Sequence, residues 1–418
     1  RVALRSTKMM TYDLIIAGTG PAGLMTADRA AAKGLKTLAL EKRKEVTASL
    51  MGELVTDNAL KLLRVKPGSE YIGNKYTQII GESLDTGGKI VVGKGLLGNS
   101  YLLDEDKCQH LMRERAEADG AEFRYNARVK SVVKEGNQVV GVKYNEALEE
   151  RAGLTVGADG SFSRVSETAG FTHPKWLLSY GIRWKLEGCK GVDPETAYFF
   201  VARDVGLGYL WLYPRSETEV NLGIGRVPSS KENWEKLPSL LDVLKKYRKR
   251  IPELRDSRIA AQNGGAVPCA GIIPRFTDAG VALCGNSAGQ VSSIVGGGVT
   301  TCFHAGTLLA KHAKRVVDEN DFSRKSIHQY EKEYRKSKLA RNIQNTGRGM
   351  WAVSKFAMHN DPLDAAEIVL SQLDAKTLNA LIQGHAGVSD IMTLLSDFLP
   401  MVMRIGKGYL KSIALSGL

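Results

Sequence analysis

Residues 12–41, YDLIIAGTGPAGLMTADRAAAKGLKTLALE, constrain the fold more than any other stretch of the chain. YDLIIAG (12–18) is continuously apolar, as a strand buried on both faces of a parallel sheet requires. PAGLMTADRAAAKG (21–34) is alanine-rich and stops on Gly34, the pattern of a helix with a glycine terminator. KTLALE (36–41) reads as the next strand. Strand, crossover helix and strand form a βαβ unit, which commits the chain to a parallel sheet.

The turn inside this unit is Gly18-Thr19-Gly20-Pro21-Ala22-Gly23, a GxGxxG. Alone the pattern is weak, but here it follows a strand, opens a helix and precedes an acidic strand end at Glu41. Gly18 permits the tight turn, Gly20 admits a pyrophosphate to the backbone, and Gly23 lets helix and strand pack closely. The free N–H groups and positive dipole end of the helix favour the phosphates. Glu41 is placed to accept hydrogen bonds from the adenosine ribose. Ala22, inside the loop, and Lys42, beside Glu41, complete this cofactor set.

Further along, YTQIIGES and KIVVGKG flank DTGG as a hairpin, and DEDKCQHLMRERAEADG (104–120) is an amphipathic helix. LTVGADGS (154–161) is a strand entering a glycine turn. Short alternating strands fill 176–227, and WEKLPSLLDVLKKYRKR (234–250) is expected to form one helix on their sheet. AGVALCGNSAG (279–289) returns a strand to the first sheet, and the chain beyond about residue 320 is mostly helical.

With VGADGSFSRV (156–165) and LCGNSAGQVSSIVGGGVTT (283–301) following the first motif in order, the chain resembles the FAD-dependent geranylgeranyl reductase family, within the para-hydroxybenzoate hydroxylase-like fold. The resemblance covers roughly residues 10–330 and implies an α/β (α+β overall) architecture. A Rossmann-like FAD-binding domain with a parallel sheet would be discontinuous, at 9–71, 104–171 and 266–330. An antiparallel-sheet substrate domain would take 72–103 and 172–265, and 331–418 would be a helical C-terminal region.

The resemblance implies that Gly157, Ala158, Asp159 and Gly160 lie near the flavin and its pyrophosphate, with Asp159 buttressing the loop. Gly285-Asn286 stands where the family has Gly-Asp, whose carboxylate binds the ribityl chain; an amide still bonds a hydroxyl, with one negative charge fewer. Gly296, Gly297 and Gly298 would pass the isoalloxazine, and the helix from Val299 would aim its positive end at flavin N1 and O2. Two positions depart from the family pattern. Met51-Gly52-Glu53 replaces a Cys-Gly found in many relatives, leaving Gly52 as the cofactor contact. Glu105 stands where relatives often place a flavin-contacting arginine, with Lys107 as the nearby replacement cation.

GYLWLYPR (208–215) resembles the family's Tyr-x-Trp-x-Phe-Pro signature, with Tyr213 in place of phenylalanine. Strand alternation puts Tyr209, Trp211 and Tyr213 on one face, a row suited to an isoprenoid chain. The expected reaction saturates C=C bonds of polyprenyl chains of membrane lipids by hydride transfer from reduced flavin. Tyr209 and Tyr213 are the candidate catalytic proton donors. Flavin-dependent halogenases have a similar Trp-x-Trp-x-Ile-Pro stretch, so a flavin monooxygenase or halogenase acting on an aromatic or prenylated quinone stays open as the alternative. No second GxGxxG serves a nicotinamide cofactor, so the electron donor is either transiently bound NAD(P)H or an acidic carrier such as ferredoxin, whose docking a net charge of +13 would favour.

That charge is concentrated at 245–250 (KKYRKR) and 324–341 (RKSIHQYEKEYRKSKLAR), and nothing matches a nucleic-acid-binding fold. The scattered cysteines Cys108, Cys189, Cys269, Cys284 and Cys302 read as reduced thiols, and no His/Cys spacing suggests a metal. The opening RVALRSTKMM lacks an apolar core, so no signal peptide is expected, and Met9 or Met10 reads as the natural start. No run of about 18 apolar residues suggests a membrane span. The expected location is cytoplasmic, with 393–415 as a peripheral membrane contact where a lipid would enter.

Overall fold

The opening apolar run becomes strand β1 (Tyr12–Ala17), with Leu14, Ile15 and Ile16 wholly shielded from solvent. It feeds α1 (Pro21–Ala31) and returns through β2 (Thr37–Leu40), parallel to β1. The computed structural model describes residues 11–46, 54–92, 99–172, 178–227, 237–293 and 296–347.

After β2 come β3 (Leu54–Thr56), α2 (Asp57–Leu63), β4 (Ile72–Tyr76), the hairpin β5 (Gln78–Ser83) and β6 (Lys89–Val92), and β7 (Ser100–Leu103). Then follow α3 (Glu105–Ala118), β8 (Glu122–Arg124), β9 (Val129–Glu135), β10 (Gln138–Tyr144), β11 (Leu148–Gly157) and α4 (Arg164–Ala169). The second half holds β12 (Leu178–Glu187), β13 (Thr196–Val201), β14 (Gly208–Pro214), β15 (Glu219–Arg226), α5 (Leu240–Arg250) and β16 (Arg258–Pro268). The chain returns through β17 (Thr277–Asp278), β18 (Val281–Leu283), α6 (Val299–Asp318) and α7 (Arg324–Lys336), and residues 338–347 are again helical.

The first sheet runs β17-β18-β11-β1-β2-β8, with β10 pairing antiparallel on β11 and β9 antiparallel on β10. Its centre, β18, β11, β1, β2 and β8, is parallel throughout. α1 lies between α6 and α3, and α7 packs on α6. The second sheet runs β16-β12-β15-β14-β13-β5-β6. It is antiparallel except at β13 and β5, which pair parallel. A small third sheet, β3-β7-β4, adjoins these.

One face of the second sheet is an ordinary core. Trp184, Leu186, Leu210, Leu212, Leu222 and Ile224 point to it, and α5 covers it with Val243, Leu244 and Tyr247. Tyr247 donates to Asp204 Oδ1 at 2.8 Å, and Trp184 Nε1 donates to Gln262 Oε1 at 2.8 Å. The helix expected over 234–250 starts only at Leu240. Ser239 takes the cap position, accepting from Asp242 N at 3.1 Å, and Pro238 before it cannot be drawn back into the helical hydrogen-bond pattern. Residues 234–236 of that expectation lie outside the described residues.

Trp184 anchors this core. Its replacement by alanine is expected to lower unfolding stability by about 3–5 kcal/mol. A urea-denaturation midpoint equal to that of the parent would contradict this placement.

Candidate functional site

The GxGxxG loop sits between the ends of β1 and β2. Gly18 has φ +94, and a Cβ there would lie 2.6 Å from the carbonyl of Ala158. A Cβ on Gly23 would lie 2.0 Å from the Gly18 carbonyl, so this glycine is demanded by helix–strand contact. Gly20 differs. Its φ is an ordinary −71, and among the described residues no heavy atom beyond its chain neighbours lies within 4 Å of where its Cβ would be. No described neighbour explains that glycine, whereas a phosphate approaching the backbone would.

Glu41 lies buried at the end of β2. It accepts from Thr19 N at 3.1 Å, Thr19 Oγ1 at 2.5 Å, and the backbone N and Nε of Arg43, both at 2.9 Å. Burial raises the pKa of this carboxyl, but the bonds from Arg43 and Thr19 outweigh it and hold the group below its ordinary value. Glu41 is therefore an ionised tie between the glycine loop and the strand end. Lys42 beside it is exposed.

Asp159 follows β11 and accepts from Ser163 Oγ at 2.5 Å, Arg164 N at 2.7 Å and Val165 N at 3.2 Å, which ties the Ala158–Gly160 turn to the start of α4. A Cβ on Gly285 would meet Ala22 Cβ at 2.7 Å, so the Gly285–Ala288 turn is pressed against the start of α1. Asn286 Nδ2 lies 3.4 Å from Ser161 Oγ, and a Cβ on Gly298 would stand 3.8 Å from Asn286 Oδ1. Ser292 N donates to Gly297 O at 3.0 Å and Gly296 N to Ser292 O at 2.9 Å, closing a turn ahead of α6. Three separated glycine segments thus meet at one place. Gly52 lies outside the described residues.

Helix capping marks this place as a ligand site. α3, α4, α5 and α7 each have their first turn capped by their own side chain, from Asp104, Ser163, Ser239 and Ser323. α2 opens on Thr56 with no side-chain cap bond but carries Asp57 in its first turn, whereas α1 and α6 begin at Gly20 and Gly298 with neither a side-chain cap nor an acidic residue there. Their N–H donors and positive dipole ends are left for an outside partner, which fits an anionic dinucleotide.

On the second sheet, Tyr209, Trp211 and Tyr213 share the face opposite α5. Ring centroids are 5.9 Å apart for Tyr209 and Trp211 and 6.3 Å for Trp211 and Tyr213. Phe199 on β13 joins the row, 5.4 Å from Tyr209 and 5.6 Å from Tyr213. Across β15 the same face is Gly225, Gly223 and Asn221, paired with Tyr209, Trp211 and Tyr213. The Trp211 ring lies over Gly223, where a Cβ would come within 2.1 Å of it, and Trp211 Nε1 donates to Asn221 Oδ1 at 3.2 Å. Desolvation pushes the Tyr209 phenol above its ordinary pKa, so it stays protonated at neutral pH. The two halves are stitched together by Ser161 Oγ, which donates to Ala266 O on β16 at 2.6 Å.

Residues 11–184 match the FAD binding domain family, and residues 178–267, which hold the aromatic strand, match the geranylgeranyl reductase catalytic domain. The chain belongs to the geranylgeranyl reductase family of FAD-dependent oxidoreductases. FAD is its cofactor. A digeranylgeranylglycerophospholipid reductase of Thermoplasma acidophilum is 28% identical, covering 95% of this chain and 98% of its own. Another, from Methanopyrus kandleri, is 25% identical over 96% of this chain and 100% of its own. The crystal structure of a geranylgeranyl bacteriochlorophyll reductase-like protein from Thermoplasma acidophilum superposes with a TM-score of 0.79 at 23% identity, covering 96% of this chain and 99% of that one. A flavin-dependent brominase superposes at 0.69 with 16% identity, covering 95% and 99%. At such identities the last two establish the fold.

Sequence reasoning missed one prominent pair in this family member. Arg183 on β12 makes a buried two-pronged bond to Glu105, the first residue of α3, with Nη1–Oε1 at 2.9 Å and Nη2–Oε2 at 2.5 Å. Arg183 is paired with Gly223, the glycine beneath Trp211, so its strand face is that of the aromatic row. Lys107, expected as the replacement cation, instead stands half-exposed at the surface with Nζ 3.6 Å from Glu70. The available signal was an arginine beside Gly181 on the polar face of an alternating strand, SYGIRWKLE.

Gly20→Ala is expected to change stability by less than about 1 kcal/mol, since no described neighbour opposes it, yet to weaken FAD binding roughly tenfold. Fluorescence titration of the apoprotein with FAD, beside a thermal melt, checks both. Glu105→Ala, which strips a buried guanidinium of its carboxylate, is expected to cost about 3 kcal/mol, and Glu105→Leu/Arg183→Met to recover most of it. Equal losses in the single and double variants, by urea denaturation, would show the pair to be uncoupled.

Proposed function

We propose that this enzyme saturates carbon–carbon double bonds in the polyprenyl chains of membrane lipids of the digeranylgeranylglycerophospholipid class. The observation that carries the reading is the row Phe199, Tyr209, Trp211 and Tyr213 beside the glycine-floored face of the second sheet, inside the segment matching the reductase catalytic domain. Flat rings beside a surface without side chains suit a long apolar chain. The similarity to digeranylgeranylglycerophospholipid reductases supports the same substrate class.

Reduced FAD supplies a hydride equivalent for one alkene carbon. The chain's residues must position the alkene, exclude water and bring a proton to the other carbon. Gly18, Gly20, Ala22 and Gly23, the Ala158–Gly160 turn, Gly285, Asn286 and Gly296–Gly298 would hold the cofactor by backbone N–H groups and the Asn286 amide. Glu41 would face the adenosine ribose while keeping its bonds to Thr19 and Arg43. Tyr209 is the favoured proton donor, because it is neutral at working pH and sits at the end of the aromatic row; Tyr213, packed between Trp211 and Phe199, is the second candidate.

A basic enzyme with one dinucleotide fold suits electron delivery by a small acidic protein carrier, with transient NAD(P)H as the other route. Among the described residues no helix is long and apolar enough to cross a membrane. The stretch 393–415, expected to touch a membrane surface, lies outside the described residues.

Under anaerobic conditions, holoenzyme reduced by dithionite and mixed with a geranylgeranyl ether lipid is expected to regain oxidised-flavin absorbance and yield the saturated lipid. Reaction that requires oxygen would instead favour a monooxygenase or halogenase. Tyr209→Phe is expected to lower the rate roughly 100-fold with KM little changed, whereas Trp211→Ala raises KM about tenfold. Equal effects of Tyr209→Phe and Tyr213→Phe would deny Tyr209 its role.

A further inference from the structure

The second basic run of the sequence, on α7, forms one wall of a cavity of about 430 Å³ whose other wall is the C-terminal half of α6. Lys311 and Arg315 line it from α6, Lys332 and Lys336 from α7. Each wall thus carries two cations four residues apart, a spacing at which like charges repel along one helix face. Among the described residues Glu333 is the single carboxylate of the lining, and it is already engaged: by Lys311 Nζ at 2.8 and 3.0 Å and by His312 Nε2 at 2.8 Å. Arg315 is fixed at the wall by donating Nη2 to Ser326 O at 2.6 Å. Lys332 and Lys336 are exposed and have no ion-pair partner among the described residues.

Four cations against one committed carboxylate leave the cavity strongly positive. Its volume falls within the range of small-molecule sites. Lys311 stands twelve residues into α6, roughly 18 Å along the axis from the helix start at Val299. The cavity therefore lies away from the glycine loop at the start of α6, and its described lining shares no residue with the aromatic row.

We propose that this α6–α7 cavity binds a phosphate-bearing anion, held by Lys332 and Lys336 from one wall and by Arg315 and Lys311 from the other. Compact lysine ammoniums bind phosphate as point charges, and the guanidinium adds directed donors. The same chemistry is offered by a free phosphorylated metabolite and by a phospholipid headgroup. The site anchors its ligand and takes no part in the redox step, so it stands whatever substrate the flavin reduces.

The test is calorimetric titration of FAD-saturated protein with sodium pyrophosphate at low salt, using the parent, Lys332→Ala/Lys336→Ala, and the charge-matched Lys245→Ala/Lys249→Ala on α5. One saturable site is expected in the parent, weakened roughly tenfold or more in the first variant and unchanged in the second. Absence of saturable binding, or equal weakening in both variants, overturns the proposal. Flotation with phosphatidic acid vesicles, set against phosphatidylcholine vesicles, then separates the sources. Lysine-dependent flotation identifies a lipid headgroup, and pyrophosphate binding without flotation identifies a free ligand.

Discussion

Two of the described helices, α1 and α6, begin with neither a side-chain cap nor an acidic residue in the first turn, and the rest of the architecture is arranged around that fact. An uncapped helix start leaves backbone N–H groups unsatisfied, which a fold normally avoids. Here α3, α4, α5 and α7 avoid it with Asp104, Ser163, Ser239 and Ser323, while α1 and α6 open on Gly20 and Gly298. The two uncapped starts are forced together. Gly285 presses on Ala22, Cys302 in the first turn of α6 lies beside Gly285, and Gly306 lets α6 run directly against the α1 backbone. A dinucleotide bound there would supply the missing acceptors, which would make cofactor binding and helix termination one requirement.

The second sheet divides its labour by strand alternation. On β14, Leu210 and Leu212 go to the core under α5, and Tyr209, Trp211 and Tyr213 go to the opposite face. On β15 the opposite face is glycine at Gly223 and Gly225, which makes room for the Trp211 ring. That face needs a fixed orientation relative to the glycine loops. Ser161 to Ala266 and Glu105 to Arg183 provide it, one joining the β11 turn to β16, the other joining the start of α3 to β12. A buried ion pair gives little net stability against well-packed apolar groups, and its better use is to fix one arrangement over others.

Much of this was legible from residues alone. The run YDLIIAG and the glycines that follow it allow a single placement, because periodicity, turn chemistry and helix start agree. The alternation GYLWLYP likewise shows which residues share a face. What the sequence hides is pairing across distance. Glu105 and Arg183 stand 78 positions apart, and no local pattern joins them. Glu41 reads as a free acid for a ribose, yet in the fold Thr19 and Arg43 already hold both its oxygens. The start of α5 was misplaced because apolar periodicity carries back through Leu237 and Trp234, while Pro238 and the Ser239 cap set the true boundary.

The two basic runs show why charge read from a sequence is ambiguous. In KKYRKR on α5, Lys246 is 2.6 Å from Asp204 and Lys245 is 3.8 Å from Asp242. Arg248 donates to Ser257 Oγ at 3.2 Å and Arg250 to Leu84 O at 3.0 Å. That run is largely consumed in holding the helix to its sheet. On α7, Arg335 is likewise spent on Glu331 and on the carbonyls of Ile273 and Pro274, but the face turned to α6 meets Lys311 and Arg315, with Glu333 the one carboxylate among the described lining residues. Electrostatic repulsion there is left standing at Lys332 and Lys336. Identical residue types thus do opposite work, one set spent on internal structure and the other kept for something outside the chain, and the difference lies in which element the fold places opposite each run.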